Sequence, residues 1–420
     1  MSVFGDAIVY VTVFFGILTS LFFLFIYIEN EPKRAPKLKK MEKVCIVIPC
    51  FNEERTVAKT IESLLALDYP KTKLEIMVVD DGSTDNTYTI AAAYRDRGVK
   101  VFRKKNGGKF TALNFAIVCT DAVYLGALDA DSIVDTHALK RMLSYFYNER
   151  IVAVTPSMKV YDPSNWLQKV QFIEYMLGIF LRKVFSFIGS IHVTPGPFSI
   201  YRREFFIKHG LYRHAHNTED IEVALRIQTL NYEIENCADA YVYTVGPKSW
   251  RGLWNQRVRW YSGFIRNIED YRHLISPRHG VLGAVVIPSA FISILLVFGG
   301  VIYFAMSTIT QLTNQYVYLR AGGYDFFSGW NWSFDTFFIN VNSIAALGAI
   351  AFIVSAIIIL TAKREAKENN SIIIPYVWFI LTYWALYAVW WAAAIWARLR
   401  KEKVSWRHKS ETASERQTTL

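Results

Sequence analysis

Cysteine is scarce in this chain. The four in 420 residues, Cys45, Cys50, Cys119 and Cys237, form neither a CxxC pair nor a Cys/His group of metal-ligand spacing. A zinc centre and a redox dithiol are thereby excluded, and reduced structural thiols remain. Internal repeats and low-complexity tracts are missing as well. Charge is absent from four long stretches, Ala7 to Ile28, Val281 to Met306, Val341 to Ala362 and Ser371 to Ala397. Each reaches the ~20 residues that span a hydrocarbon core. The first is not preceded by a basic region or followed by a small-residue cleavage site, so it reads as an anchor and not as a signal peptide.

What is present is a basic chain, with a formal net charge of +11. Nucleic-acid binding is not the reading, because the charge sits beside membrane segments. Lys33, Arg34, Lys37, Lys39, Lys40 and Lys43 follow the first stretch, which assigns that side to the cytosol by the positive-inside rule. The expected organisation is an N-terminal membrane helix (1–30), a basic linker (31–43), a cytosolic domain (44–240), a polar and aromatic segment (241–280), a membrane region (281–397) and a basic tail (398–420). Residues 166–192 mix large apolar side chains with Lys169, Glu174, Arg182 and Lys183 and predict an amphipathic helix in the membrane interface, its cations at the headgroups. The charges conflict in one place. Four crossings put the tail outside, yet Arg398, Arg400, Lys401, Lys403, Arg407 and Lys409 lie in it, while Lys363, Arg364 and Lys367 lie in the preceding loop. A cytosolic tail is favoured, with the aromatic stretch around Trp330 and Trp332 as a candidate re-entrant segment.

Between Val44 and about Asp239, short β-branched runs alternate with helical stretches, as in an open α/β sheet. Ligands of such sheets bind beyond the carboxyl ends of the strands, so the residues after each run are the candidates for chemistry. In VIPCFNEE, Asn52 and Glu53 stand where a strand meets a helix, which suits either a nucleotide or a plain helix cap. In VVDDGSTDNT, Asp80 and Asp81 can accept hydrogen bonds from a base or ribose, and Asp81 is the first choice for the base. In NGGKFTALN, Lys109 opens a helix behind two glycines, a natural phosphate site that lacks the spacing and Lys-Ser/Thr pair of a P-loop.

YLGALDADSIVD carries Asp129 and Asp131 at a strand end and, by alternation, on one side of the chain. Such a pair can hold Mg²⁺ or Mn²⁺ and, through it, a diphosphate. In NTEDIEVALRI, Glu219 and Asp220 open a helix; one acid there suits the helix dipole, and the other can serve as a general base, with Asp220 the choice and Glu219 assisting. In QRVRW, Gln256 to Trp260, Arg257 or Arg259 can meet a leaving diphosphate and Trp260 a sugar ring, although interface anchoring explains an isolated pair equally well.

With these motifs in this order, the sequence resembles the membrane-integrated processive glycosyltransferases of family 2, those that make cellulose, hyaluronan, chitin and poly-N-acetylglucosamine. The resemblance covers roughly Val44 to Tyr271 and rests most on DAD, TED and QRVRW. It implies a GT-A fold, a Rossmann-like mixed α/β sheet, joined to transmembrane and interfacial helices in the cell membrane. It further implies a UDP-sugar donor, with UDP-GlcNAc first, a divalent metal, and a glycan acceptor or, alternatively, a single transfer to a polyprenyl-phosphate or other lipid acceptor. Glu53, Asp80 and Asp81 would hold uridine, Lys109 would lie near the diphosphate, and Asp129 and Asp131 would hold donor and metal. Asp220 would be the base, with Gln256, Arg257, Arg259 and Trp260 lining the acceptor and leaving-group site, Arg257 on the acceptor side and Arg259 on the donor side, and Gly196 beside the acceptor end. Few membrane stretches leave room for an oligomer or a partner membrane subunit. The cyclic-dinucleotide module of the cellulose branch is absent, while VSWRHK resembles a tryptophan-containing gating loop. Charge-free spans with carboxylates gathered in the soluble domain argue against a transporter or scaffold.

Overall fold

The computed structural model describes residues 3–30, 38, 40–322 and 343–400. Trp330, Trp332, Lys33, Arg34, Lys37, Lys39 and the VSWRHK segment lie outside the described residues.

After the apolar helix α1 (Val3–Glu29), the chain lays down β1 (Val44–Cys50), α2 (Val57–Leu65), β2 (Leu74–Asp80), α3 (Thr87–Ala92), β3 (Lys100–Arg103), α4 (Lys109–Cys119) and β4 (Tyr124–Ala127). It continues through β5 (Ser132–Val134), α5 (Ala138–Leu143), β6 (Ile151–Val160), α6 (Trp166–Phe187), β7 (Ile200–Arg202), α7 (Arg203–His209), α8 (Glu219–Thr229) and β8 (Glu233–Thr244). One eight-stranded sheet results, in the order β3-β2-β1-β4-β7-β6-β8-β5. The β3-β2-β1-β4 half is parallel, as the expected βαβ alternation requires. Past β4 the sheet turns mixed: β7 runs antiparallel to both β4 and β6, β6 is parallel to β8, and β5 is antiparallel to β8.

The central strands are buried on both faces, which is why β1 and β2 read as continuous apolar runs. One core packs Ile46, Ile48, Val78 and Leu128 under α2 and α5. The opposite core packs Val47, Val79, Ala116 and Val223 under α4 and α8. The carboxyl ends of β1, β2 and β3 lead into α2, α3 and α4 along one edge of the sheet.

Helix α9 (Trp250–Asp270) carries QRVRW, and then α10 (Ile287–Gly322), α11 (Ser343–Glu365) and α12 (Ile373–Leu399) follow. Four segments are long and apolar enough to cross a bilayer, Ala7–Glu29, Leu282–Val317, Ala345–Glu365 and Ile373–Leu399. The expected interfacial helix α6 differs in its surroundings. It is sandwiched between the sheet and α1, α11 and α12, with Phe172, Ile173, Met176 and Phe180 buried against Ile359 and Ala362. Two of its cations turn inward, Lys183 pairing with Glu365 at 2.5 Å and Arg182 donating to the Pro156 carbonyl, while Lys169 stays exposed.

Candidate active site

The NGGK loop places Lys109 at the first turn of α4, where the helix dipole and the ammonium face the same cleft. Lys109 Nζ reaches Asp129 Oδ1 at 2.6 Å and Glu219 Oε1 at 3.2 Å. DAD at the end of β4 and TED at the start of α8 are thus joined through one cation, although 90 residues separate them in the sequence. Burial works against that charge, but Asp129 and Glu219 outweigh it and hold the ammonium above its ordinary pKa.

Gly196 lies over this pair. A Cβ there would stand 2.9 Å from Lys109 Nζ and 3.5 Å from Asp129 Oδ2, so any side chain would displace the ammonium. Gly196→Ala is expected to lower kcat/KM by about 10- to 100-fold, the cost of an ångström-scale misplacement, with thermal unfolding unchanged. Thr194, two residues earlier, donates from its hydroxyl to the Asp220 carbonyl at 2.8 Å and ties this loop to TED.

The acids differ in protonation. Burial raises Asp220 to about 6, Glu219 adds to the rise, and Lys109 and Arg259 oppose it. Burial is the largest influence on Glu219 as well and pushes it up, but Lys109, a backbone hydrogen bond and Arg259 together outweigh it and the net shift is downward. Asp131 rises to about 7, first through burial and then through Asp129 and Glu53. One cleft therefore holds an ionised acid beside two that titrate near neutrality, an arrangement concentrated at reactive sites.

Helix α9 closes the cleft from the side. Gly263 gives room for Thr218, whose side chain a Cβ would meet at 2.3 Å, and Asn267 donates to the Thr218 hydroxyl at 2.8 Å. Arg259 donates to the Asn217 carbonyl at 3.0 Å, and its charge acts on Glu219 and Asp220. The residues before TED, Ala215, His216 and Asn217, all have positive φ (43°, 56° and 64°). Each costs of order 1 kcal/mol or more in a residue with a side chain, which the contacts from α9 offset. Arg257, on the other face of the helix, is fully buried, paired with Glu174 at 2.5 Å and stacked over Trp260 at 4.3 Å. Gln256 is half-buried, with its Oε1 enclosed and without a hydrogen-bond partner.

The base-side acids are occupied. Asp80 accepts from Ser83 N–H and pairs with Arg103 at 3.2 Å. Asp81 accepts from Lys104 Nζ at 2.5 Å and from the N–H groups of Gly107 and Gly108, so it holds the NGGK loop in shape. Glu53 is the third acid of this region, its Oε2 accepting from Thr56 at 2.8 Å and its charge reaching Asp131. Lys104 and Thr194 were not among the sequence candidates. The only signal for Lys104 was a second lysine run ahead of the glycines, and Thr194 had none.

Residues 45–210 match the glycosyl transferase family 2. That segment is a family 2 glycosyltransferase domain. Over 391 residues this glycosyltransferase is 28% identical to a poly-beta-1,6-N-acetyl-D-glucosamine synthase of Staphylococcus epidermidis, covering 89% of this chain and 90% of that protein. The Staphylococcus aureus protein of the same name is 30% identical over 257 residues, 59% of this chain and 62% of its own length. A mannosyltransferase from Pyrobaculum calidifontis, solved with GDP-Man and Mn²⁺, matches 84% of this chain and 98% of its own at a TM-score of 0.61 and 16% identity, which shows a shared fold. The glycosyltransferase domain has the GT-A architecture, joined to four apolar helices of membrane-spanning length.

Proposed function

We propose that this glycosyltransferase extends a polysaccharide processively by inverting transfer of GlcNAc from UDP-GlcNAc, with its catalytic domain on the cytosolic face and its product delivered across the membrane. The observation that carries the chemistry is the gathering of Asp129, Lys109, Glu219, Asp220 and Arg259 around one cleft roofed by Gly196. The polymer and its sugar are supported by the similarity to poly-beta-1,6-N-acetyl-D-glucosamine synthases, which runs through the membrane helices as well as the domain.

Asp220 takes the proton of the acceptor hydroxyl as its oxygen attacks the anomeric carbon from the face opposite the diphosphate. The glycosidic C–O bond forms, the bond to the diphosphate breaks, and Lys109 and Arg259 stand where the departing charge develops. No covalent intermediate on the protein is required. Asp80, Asp81 and Glu53 bound the uridine side, and Gly196, Gln256 and Trp260 the acceptor side. Arg257, buried against Glu174, acts on the acceptor only by holding Trp260. Arg257→Met is expected to destabilise the protein by about 3 kcal/mol, since it strands a partly buried carboxylate. Arg259→Met should instead slow transfer about 10²- to 10³-fold at nearly unchanged stability. Thermal unfolding beside kcat for both variants checks the split.

A divalent ion fits the DAD acids. Asp131 is half-buried beside Asp129 with its proton retained to about pH 7, and Lys109, the cation of this pair, bonds only Asp129 of the two. Among the described residues no larger group of acids, histidines or cysteines could complete a metal shell, so donor phosphate oxygens would supply the rest. When bound, Mg²⁺ or Mn²⁺ would neutralise the diphosphate. Because Asp131 must ionise to ligate, loading should release about half a proton at pH 7 and weaken as pH falls below 7. Calorimetry of Mn²⁺ and UDP binding in buffers of different ionisation enthalpy reads this, and Asp131→Asn removes the release.

The deciding assay incubates purified protein with radiolabelled UDP-GlcNAc and Mn²⁺ or Mg²⁺ and sizes the product. A high-mass, hexosaminidase-sensitive polymer is the expected result. Label recovered only in extractable lipid would replace this reading with single transfer to a lipid acceptor.

A further inference from the structure

We infer that Thr87, the first residue of α3, and Asp85 just before it set the affinity for the donor nucleotide by positioning Glu53. Asn52 and Glu54, the neighbours of Glu53, belong to the same clamp and not to the nucleotide site. The inference rests on the reading of Glu53 as a residue of the uridine side.

Strands β1 and β2 are parallel neighbours, with Cys50 beside Asp80, so the loops that leave them run side by side. Each loop uses its side chains on the backbone of the other. The Asn52 N–H donates to Ser83 Oγ at 3.0 Å, and Asn52 Oδ1 accepts from the Thr84 N–H at 2.9 Å. The Glu54 N–H donates to Asp85 Oδ2 at 3.2 Å, and Glu54 Oε2 accepts from the Asn86 N–H at 3.1 Å. Asn52 takes a positive φ of 56° to make its bonds, a conformation that asparagine adopts more readily than most residues. The NEE segment suited a nucleotide or a helix cap by sequence. In the fold, its first and third residues form a seam between two strand-tip loops.

Glu53 lies in the middle of this seam, held at both ends of its backbone. Its N–H donates to Thr87 Oγ1 at 2.7 Å, and its carbonyl accepts from the N–H groups of Thr56 at 3.1 Å and Val57 at 3.0 Å. Thr87 is fully buried. Its hydroxyl donates to Asp85 Oδ1, which also accepts the Thr87 N–H at 3.0 Å. The Asp85 carboxylate thereby fixes the direction of the hydroxyl and turns a lone pair toward Glu53. With its backbone pinned, Glu53 is left only its side-chain torsions, and its charge reaches Asp131. Thr87 and Asp85 therefore act on the nucleotide through the acid that they hold in place.

Calorimetric titration of UDP and Mn²⁺ into the detergent-purified full chain reads the donor side without sugar transfer. Thr87→Val keeps the side-chain shape and removes the hydroxyl. It should weaken UDP binding about 10-fold, the effect of one enclosed N–H left without its partner, and raise KM for the UDP-sugar in step while kcat stays within about twofold. Thr87→Ser restores the hydroxyl and should bind UDP as the parent does. Asn52→Gly keeps the positive φ, removes the bond to Thr84 and should weaken UDP in the same direction, which keeps the test open should Thr87→Val fold poorly. In a Glu53→Ala background, Thr87→Val should cause no further loss, because its effect passes through Glu53.

Additive losses in that double variant overturn the inference. So does wild-type UDP affinity in Thr87→Val and Asn52→Gly when Glu53→Ala alone is weakened; the uridine-side reading then survives. A parent that does not bind UDP, or a Glu53→Ala variant that binds it as the parent does, removes that reading and the inference together.

Discussion

Asp220→Asn should reduce sugar transfer by roughly 10³-fold while the affinity for donor stays within about twofold, the range expected when a general base alone is removed. The pH profile carries the sharper test. Burial, and next Glu219, hold the wild-type carboxyl at about 6. Below that pH the base is protonated and kcat falls tenfold per unit; above it the carboxylate is free and the rate levels off. The variant retains no such limb near pH 6. Glu219→Gln removes the second cause that raises the Asp220 carboxyl, so the limb should persist but move below 6. A profile of Asp220→Asn that keeps the wild-type limb would remove Asp220 from the role of base.

Lys109→Met is the second large effect. The ammonium is mostly buried and is the charge shared by Asp129 and Glu219. Its loss leaves both acids facing each other across a cleft that also holds Asp131 and Asp220. Removing one partner of a buried ion pair costs about 3–5 kcal/mol, which detergent-solubilised thermal unfolding reads. Because Lys109 lowers the pKa of Glu219 and of Asp220, the residual activity should have its acid limb above 6. Lys109→Arg restores the charge but not the fit under Gly196, and should recover stability more than rate. An unchanged acid limb in Lys109→Met would mean that Lys109 does not face Asp220.

The strand tips that carry Asp80, Asp81, Asp129 and Asp131 were legible because buried parallel strands write themselves as apolar runs, and a carboxylate that ends such a run has only the open edge of the sheet to occupy. The mixed half of the sheet was less legible. β7 and β5 have three residues each, too short for any periodicity to register. The two lysines and the arginine of α6 read as headgroup contacts because local amphipathicity does not say which neighbour will cover a face.

Within QRVRW, residue type and spacing left Arg257 and Arg259 as equals, and only the family resemblance put Arg259 on the donor side and Arg257 with the acceptor. On a helix, two residues are about 200° apart, so one guanidinium had to face away from the site. Only the packing of α6 and α12 against α9 decided that it is Arg257, by supplying Glu174 and Trp390 on that face. Asp81 is a similar case. Its position at a strand tip follows from the run before it, but its engagement by Lys104 and the Gly107 and Gly108 amides depends on a loop 26 residues away.

By itself, the sequence determined the order of the motifs, the parallel half of the sheet, the acids at its open edge and the four apolar helices. Each of these is written in residue types over a span shorter than one element. The tertiary structure alone decided that Asp129 and Glu219 share Lys109 and that Arg257 turns away from the acids to meet Glu174. Those outcomes depend on distances between segments far apart in the chain, and burial and charge pairing act on distance in space.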